Sequence, residues 1–467
     1  MRKLLAIAAT ITLLIGGNAA KAATIDDTPT FETISSSSLS DSKVYVQDQS
    51  VALGDGKQLN LASTYDLNTN AGVVALTQND DGTLTENPVW ASKDSGVAVV
   101  SLSLIQSTSL KKFVAAWTTL GFNDLTSFST SVMFSTSTNG KTWSTPKAIL
   151  PARIDPISDG TKLNLPGYLS VQLFQNGTKL GALLVSKPDT KTTSVIGIQT
   201  VSTADGKTWT KGKQVNSDKT TPLSNANVKL IQLKNSTVAM WTSVNANGEW
   251  SLNQATAPAS STTFAAASSV ITKQTEDINY SVAQNSKDEI ALTFIAKGAD
   301  DPNSYAAEIK RSAKGVWPAI TKATKVAVDG SDVLATATAL TADGKALVAT
   351  VSDDGSTYLN LTAQRIATNG TLDGDPMTLV DHAALGGQVL KAYYASSGEF
   401  NVFFDQYSGN PLDILDEEVG VADALNWIQG NNDGPLTPVE ITPGDQAIMA
   451  LNISVSAFND FTLTALS

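Results

Sequence analysis

Cysteine is absent from all 467 residues, and histidine occurs once, at His382. Without cysteine there are no disulfides and no cysteine-borne lipid anchor, so the fold must hold by packing alone. A single histidine excludes a histidine-rich metal site and most histidine-based acid–base schemes. Arginine is nearly as scarce: beyond Arg2 there are only Arg153, Arg311 and Arg365. No stretch reaches the roughly 20 apolar residues of a membrane-spanning helix. Charged residues make up 16% of the chain, so its polarity comes from uncharged side chains.

The N-terminus carries a targeting pattern. Arg2 and Lys3 precede an apolar run, Leu4 to Ile15, and then Ala20-Lys21-Ala22. This is the layout of a secretory signal peptide over 1–22, cut after Ala22. The chain is therefore expected to be exported to a periplasm, a cell surface or the medium. Removing the signal leaves 29 basic against 44 acidic residues, a net charge of −15. Such a chain repels phosphate backbones and anionic lipid heads, so no nucleic acid partner and no membrane insertion is expected.

A repeat runs through the remainder. QLNLAS, KFVAAW, KLGALLV, TVAMWT, EIALTF, ALVATV, EFNVFF and DFTLTA each follow a polar turn and alternate apolar with small or polar residues. With Leu59, Phe113, Leu180, Val238, Ile290, Ala346, Phe400 and Phe461 taken as equivalent, the spacings are 54, 67, 58, 52, 56, 54 and 61 residues. Alternation at period two beside Gly, Asn or Asp turns predicts hairpins. A second tight turn follows each of the first seven, among them STNGKTWSTP, ADGKTWTKGK and NNDGPLTPVE. Four strands per unit in tandem predict an all-β protein, a β-propeller of four-stranded blades, because one small sheet cannot bury both its faces alone.

Two of these turns carry a resemblance. Thr136 to Trp143 (TSTNGKTW) and Ser202 to Trp209 (STADGKTW) resemble the Asp box of the sialidase-like, BNR-repeat propeller superfamily, in which Ser-x-Asp-x-Gly-x-Thr-Trp forms a structural turn. The resemblance implies structural roles for Gly140, Trp143, Asp205, Gly206 and Trp209. The family's Asp position holds Thr138 and Ala204, so both boxes are degenerate.

Eight hairpins favour eight blades over 44–467, with seven as the alternative. The last hairpin, Ala447 to Leu466, lacks outer strands, and Thr28 to Ile34 resembles an outer strand. The N-terminal segment, 23–43, is expected to supply a closing strand and a Ser-rich linker. Asn410 to Trp427 has helical spacing and is expected to be an acidic insert.

The chemistry is sparse. The sialidase resemblance would require three converging arginines, but Arg311 and Arg365 precede outer turns and Arg153 lacks the expected proline. Glycoside hydrolysis needs two carboxylates across a pocket; loops offer Asp155, Asp159, Asp277, Asp300, Asp301, Asp329, Asp332 and Asp405. His382 follows Asp381 in what is read as a loop, and no Gly-x-Ser-x-Gly elbow accompanies it. No cofactor and no metal ligand is expected, although turns such as Asp300 to Asn303, Asp353 to Gly355 and Asn369 to Asp375 could hold a structural calcium. The leading expectation is a non-catalytic binding module for a glycan or extracellular protein. Its ligand face would be Arg153, Asp155 and Asp159 in the longest loop between units, with His382 and with Trp90 as a sugar-stacking ring. A glycoside hydrolase using loop carboxylates is the first alternative, and a cell-surface assembly component the second.

Overall fold

A computed structural model describes residues 32–33, 43–52, 58–66, 70–78, 84–94, 96–124, 126–156, 167–186, 197–210, 212–215, 228–245, 247–275, 278–296, 305–311, 324–326, 333–353, 359–383, 385–394, 399–407, 446–454 and 462–464. Among them every regular element is a strand. No helix there is long and apolar enough to cross a membrane.

A short strand, β1 (Glu32–Thr33), precedes six four-stranded meanders. The first sheet is β2 (Lys43–Ala52), β3 (Gln58–Asp66), β4 (Ala71–Gln78) and β5 (Leu84–Ala91). The second is β6 (Val97–Ser107), β7 (Lys112–Asp124), β8 (Ser127–Ser137) and β9 (Lys147–Pro156). The third is β10 (Tyr168–Asn176), β11 (Lys179–Ser186), β12 (Gly197–Thr203) and β13 (Lys213–Gln214). The fourth is β14 (Lys229–Leu233), β15 (Ser236–Val244), β16 (Trp250–Pro258) and β17 (Ser268–Gln274). The fifth is β18 (Tyr280–Gln284), β19 (Ile290–Ala296), β20 (Tyr305–Arg311) and β21 (Thr324–Val326). The sixth is β22 (Val333–Leu340), β23 (Ala346–Asp353), β24 (Leu359–Ile366) and β25 (Met377–Ala383). The last sheet joins β26 (Leu385–Tyr394), β27 (Glu399–Tyr407) and β28 (Gln446–Ser454), with β29 (Thr462–Thr464) and β1 both on the far edge of β28.

The expected eighth sheet does not form among the described residues. The hairpin of β28 and β29 exists, but β28 pairs along its whole length with β27, from Glu399↔Ser454 to Tyr407↔Gln446. It is the third strand of the seventh sheet rather than an inner strand of its own. The N-terminal strand meets it, Glu32 opposite Ala450. The Asn410 to Trp427 insert lies outside the described residues.

Neighbouring sheets bury each other. Leu59, Leu61 and Val73 of the first pack on Leu104, Phe113 and Trp117 of the second. Val114, Val132 and Phe134, from the other face of the second, pack on Val171, Leu180 and Leu184 of the third. The same succession links the third to the fourth, the fourth to the fifth, the fifth to the sixth and the sixth to the seventh. Middle strands are thus covered on both sides: β11 is buried at seven consecutive positions. That is why the sequence alternates apolar with small residues rather than with charges.

In the third and sixth sheets the first strand has an edge without a strand partner, and side chains from the first strands of neighbouring sheets meet its amides. Ser101 accepts from the Val171 amide at 3.1 Å and Ser103 from that of Leu173 at 2.8 Å. Gln232 accepts from the Gln175 amide at 3.1 Å, and Ser281 from that of Thr338 at 3.1 Å.

Because each sheet is a meander, its connections fall at two ends. The connections between strands one and two, and three and four, share one end, here the turn end. Those between strands two and three, and between successive sheets, share the other, the loop end. At the turn end the box-like turns are built as expected for structural elements. Asn139 Oδ1 accepts from the amides of Lys141 and Thr142, both at 2.9 Å, and Trp143 Nε1 donates to the Gly140 carbonyl at 2.9 Å. Asp205 Oδ1 accepts from Lys207 and Thr208 at 2.8 and 2.9 Å. Led by the Thr208 amide, these bonds hold its carboxyl down to about 2. The residue that ties each turn therefore stands one place after the degenerate positions Thr138 and Ala204. Gly140 and Gly206 have φ of 73° and 66°, a region that L side chains avoid. A Cβ on Gly140 would lie 2.8 Å from Leu59 of the preceding sheet, and one on Gly206 2.9 Å from Leu110. Trp143 and Trp209 pack into the interface with the preceding sheet. These turns clamp one sheet to the next, at the end away from the loop end.

Candidate functional site: two mouths of one sheet

Side chains of the second sheet alternate between its two neighbours. At the loop end the two sides differ.

Facing the first sheet, β7 and β8 present paired rows, Gly121 opposite Ser129, Thr119 opposite Ser131 and Trp117 opposite Met133. The upper two rows carry nothing larger than threonine. With Val97 and the segment Trp90 to Asp94 they line an open cleft of about 700 Å³. Its floor is aromatic: the half-buried Trp90 stands 5.9 Å from the fully buried Trp117, the rings tilted by 40°. The small residues hold the opposing wall back, and a Cβ on Gly121 would already press Val97 at 3.1 Å. Lys93 and Asp94 sit at the edge, where Ser92 Oγ accepts from the Asp94 amide at 3.1 Å and donates to its carbonyl at 2.8 Å. Trp90 belongs to β5, opposite Val73, and not to a loop as expected.

Facing the third sheet, the same end is filled. Arg153 Nη2 donates to Asp155 Oδ1 at 2.8 Å, their side chains 16% and 11% exposed. The guanidinium lies 5.6 Å from the ring centre of Tyr168, whose hydroxyl donates to the Pro151 carbonyl at 3.1 Å. Asp155 Oδ2 is buried without a hydrogen-bond partner. It is aimed at Gly167, where a Cβ would stand 2.4 Å from it. Arg153 and Asp155, expected together on an exposed ligand face, are together but turned into the interface, on the side of the sheet opposite Trp90.

The fourth and fifth sheets repeat this closure. Lys229 Nζ lies 4.9 Å from the ring centre of Tyr280 and donates to the Tyr280 carbonyl, while the Tyr280 hydroxyl donates to the Met240 carbonyl at 2.9 Å. Burial pushes the Lys229 amine down to about 8. Tyr168 and Tyr280 are each the first residue of the first strand of a sheet. β6 begins instead with Val97, and there the mouth is open.

Of the other expected residues, Asp159 lies outside the described residues. His382 falls on β25 of the sixth sheet, not in a loop, and its side chain lies outside the description. Arg311 ends β20 and Arg365 is the penultimate residue of β24, both at the turn end. Arg365 is buried, with Nε donating to the Asp373 carbonyl at 3.1 Å. Among the described residues no three of His, Cys, Asp and Glu gather as a metal site would require. Val97, Thr119, Gly121, Ser129 and Ser131 were not anticipated from the sequence. No shared repeat position marked them: Val97, Tyr168 and Tyr280 stand opposite the eighth, sixth and fourth residues after Phe113, Leu180 and Ile290.

No family model matches the chain, and no curated protein matches it. Among solved structures it is similar to a protein of unknown function from Dyadobacter fermentans, at 12% identity over 78% of this chain and 95% of that one, with a TM-score of 0.39. It is similar to the α-L-arabinofuranosidase of Fusarium graminearum with arabinobiose, at 13% identity over 66% and 88% of the two chains, with a TM-score of 0.36. A third is the α-L-arabinanase of Penicillium chrysogenum with arabinobiose, at 12% identity over 66% and 88%, with a TM-score of 0.35. The likeness is one of strand arrangement. The expectation of a non-catalytic binding module is corrected here: the characterised proteins among these are glycoside hydrolases, the class held as the alternative.

Proposed function

We propose that the protein is an exported glycoside hydrolase that works on a glycan held in the cleft between the first and second sheets. The observation that carries this reading is the cleft itself, with a half-exposed indole on one side and a wall of hydroxyls on the other. An aromatic face takes the apolar face of a sugar ring, while hydroxyls answer its rim. The pattern at residues 1–22 supports export. The reading includes a ring of seven sheets closed on itself. In its support, Ala62, Val74 and Leu76 on the outward face of the first sheet are buried although none of the six interfaces above covers them. The pairing of β1 with β28 also joins the two ends of the chain.

Hydrolysis takes a proton donor for the leaving oxygen and a second carboxylate that attacks the anomeric carbon or activates water. Asp94 lines the cleft. We assign one of these roles to Asp94. The test is release of reducing ends from chromogenic glycosides and polysaccharides, arabinans included. Asp94→Asn should lower turnover about 100-fold or more, with circular dichroism unchanged. Absence of turnover across the panel, or turnover indifferent to this change, would overturn the reading.

A further inference from the structure

The cleft's lining also says what kind of glycan it takes. Of the residues lining it, Lys93 is the one cation, and it stands beside Asp94 at the edge, so the pair offers no net charge. The interior wall is Thr119, Ser129 and Ser131, which hydrogen-bond without selecting a charge. Carboxylates and sulfates are gripped by convergent guanidiniums. Arg153 is bound to Asp155 on the opposite face of the second sheet, and Arg311 and Arg365 are at the turn end. The chain's net charge of −12 adds a field that repels polyanions. A volume of about 700 Å³ exceeds a single sugar ring and lies within the usual range of small-molecule sites, roughly 300–1,000 Å³.

One residue of the lining bears on the room available. Val97 lines the cleft on the strand next to Gly121, and a Cβ on Gly121 would already lie 3.1 Å from its Cγ2. A ring at position 97 would extend into the space that the short valine leaves, as the rings of Tyr168 and Tyr280 fill two other interfaces.

Resting on the glycan reading, we propose that this cleft selects an uncharged glycan segment longer than one sugar, and that valine at position 97 is the residue that keeps it open. The experiment is calorimetric binding to the full-length mature wild-type protein, with thio-linked oligosaccharides that resist hydrolysis, which separates binding from turnover. The probes are neutral arabino-, xylo- and galacto-oligosaccharides of two to four units, set against oligogalacturonides of equal length. At least one neutral series should bind, and oligogalacturonides should bind at least 10-fold more weakly. Val97→Tyr and Trp90→Ala should each reduce neutral binding 10-fold or more, Val97→Tyr without lowering the melting temperature. Should Val97→Tyr fail to fold, Ser131→Leu fills the cleft from the opposite wall and should give the same loss. Equal binding of oligogalacturonides, or neutral binding untouched by both cleft-filling changes, would overturn the proposal. So would absence of binding by every neutral series. Neutral binding in a protein whose wild type turns nothing over would remove the hydrolase reading and leave this one standing. Turnover that depends on Asp94 yet runs equally on neutral and anionic glycans would do the reverse.

Discussion

The two faces of the second sheet share strands, neighbours of similar build and the same loop end, yet one ends in a cleft and the other in a plug. On the plugged side, Thr130, Arg153, Asp155 and Tyr168 converge, and the Tyr168 amide donates to Thr130 Oγ1 at 3.2 Å. Apart from Asp155 Oδ2, the buried polarity there is tied internally and turned away from solvent. On the cleft side, small hydroxyl residues leave space and keep their hydrogen-bonding capacity in reach of solvent. The lesson is that similar sheets can end in different ways: a tyrosine ring over a cation closes two interfaces, and small side chains leave another open.

The comparison can be broken most sharply at Arg153. Arg153→Ala leaves Asp155 buried with neither oxygen paired, so stability should fall by about 3–5 kcal/mol. Urea unfolding measures this, and a loss below about 1 kcal/mol would mean the plug behaves like an exposed ion pair. Next comes Tyr168→Val, which imitates position 97. Removing a ring that is 5% exposed should cost about 2–4 kcal/mol, whereas Val97 tolerates either size; equal sensitivity at both positions would erase the distinction. The smallest effect concerns the second plug. The Lys229 amine titrates near 8 in the fold and near 10.4 in the unfolded chain. Between those values the unfolded chain binds more protons, so this group's contribution to stability rises as pH rises from about 8 to about 10. Below 8 the charged amine carries the full penalty. The stability of wild type relative to Lys229→Met should therefore climb by about 1–3 kcal/mol across that window, as read from unfolding curves at matched pH; a flat difference would place Lys229 in water.

Much of the fold was legible. Alternation at period two, with Gly, Asn and Asp turns, located the strands of six sheets and the turn-end glycines, because each strand buries both faces and each turn needs a positive φ. Gln446 to Ser454 was misjudged as the opening of an eighth sheet. A strand's alternation records that it is covered, not which strand it pairs with, and residues 408–445 separate it from β27. Trp90, read as a residue of a loop between units, stands instead at the end of β5, half-buried. Arg153 and Asp155 were read as presented to a ligand, since two residues of spacing say nothing about which side of a sheet they leave from.

The sequence by itself determined the strands, the turns and the paucity of charged chemistry, because these follow from local backbone preference and composition. Only the tertiary structure decided that Val97 faces Trp90 across a gap while Tyr168 closes over Arg153. Whether an interface fills or stays open depends on which side chains of neighbouring sheets meet at one end, and no local pattern encodes that meeting.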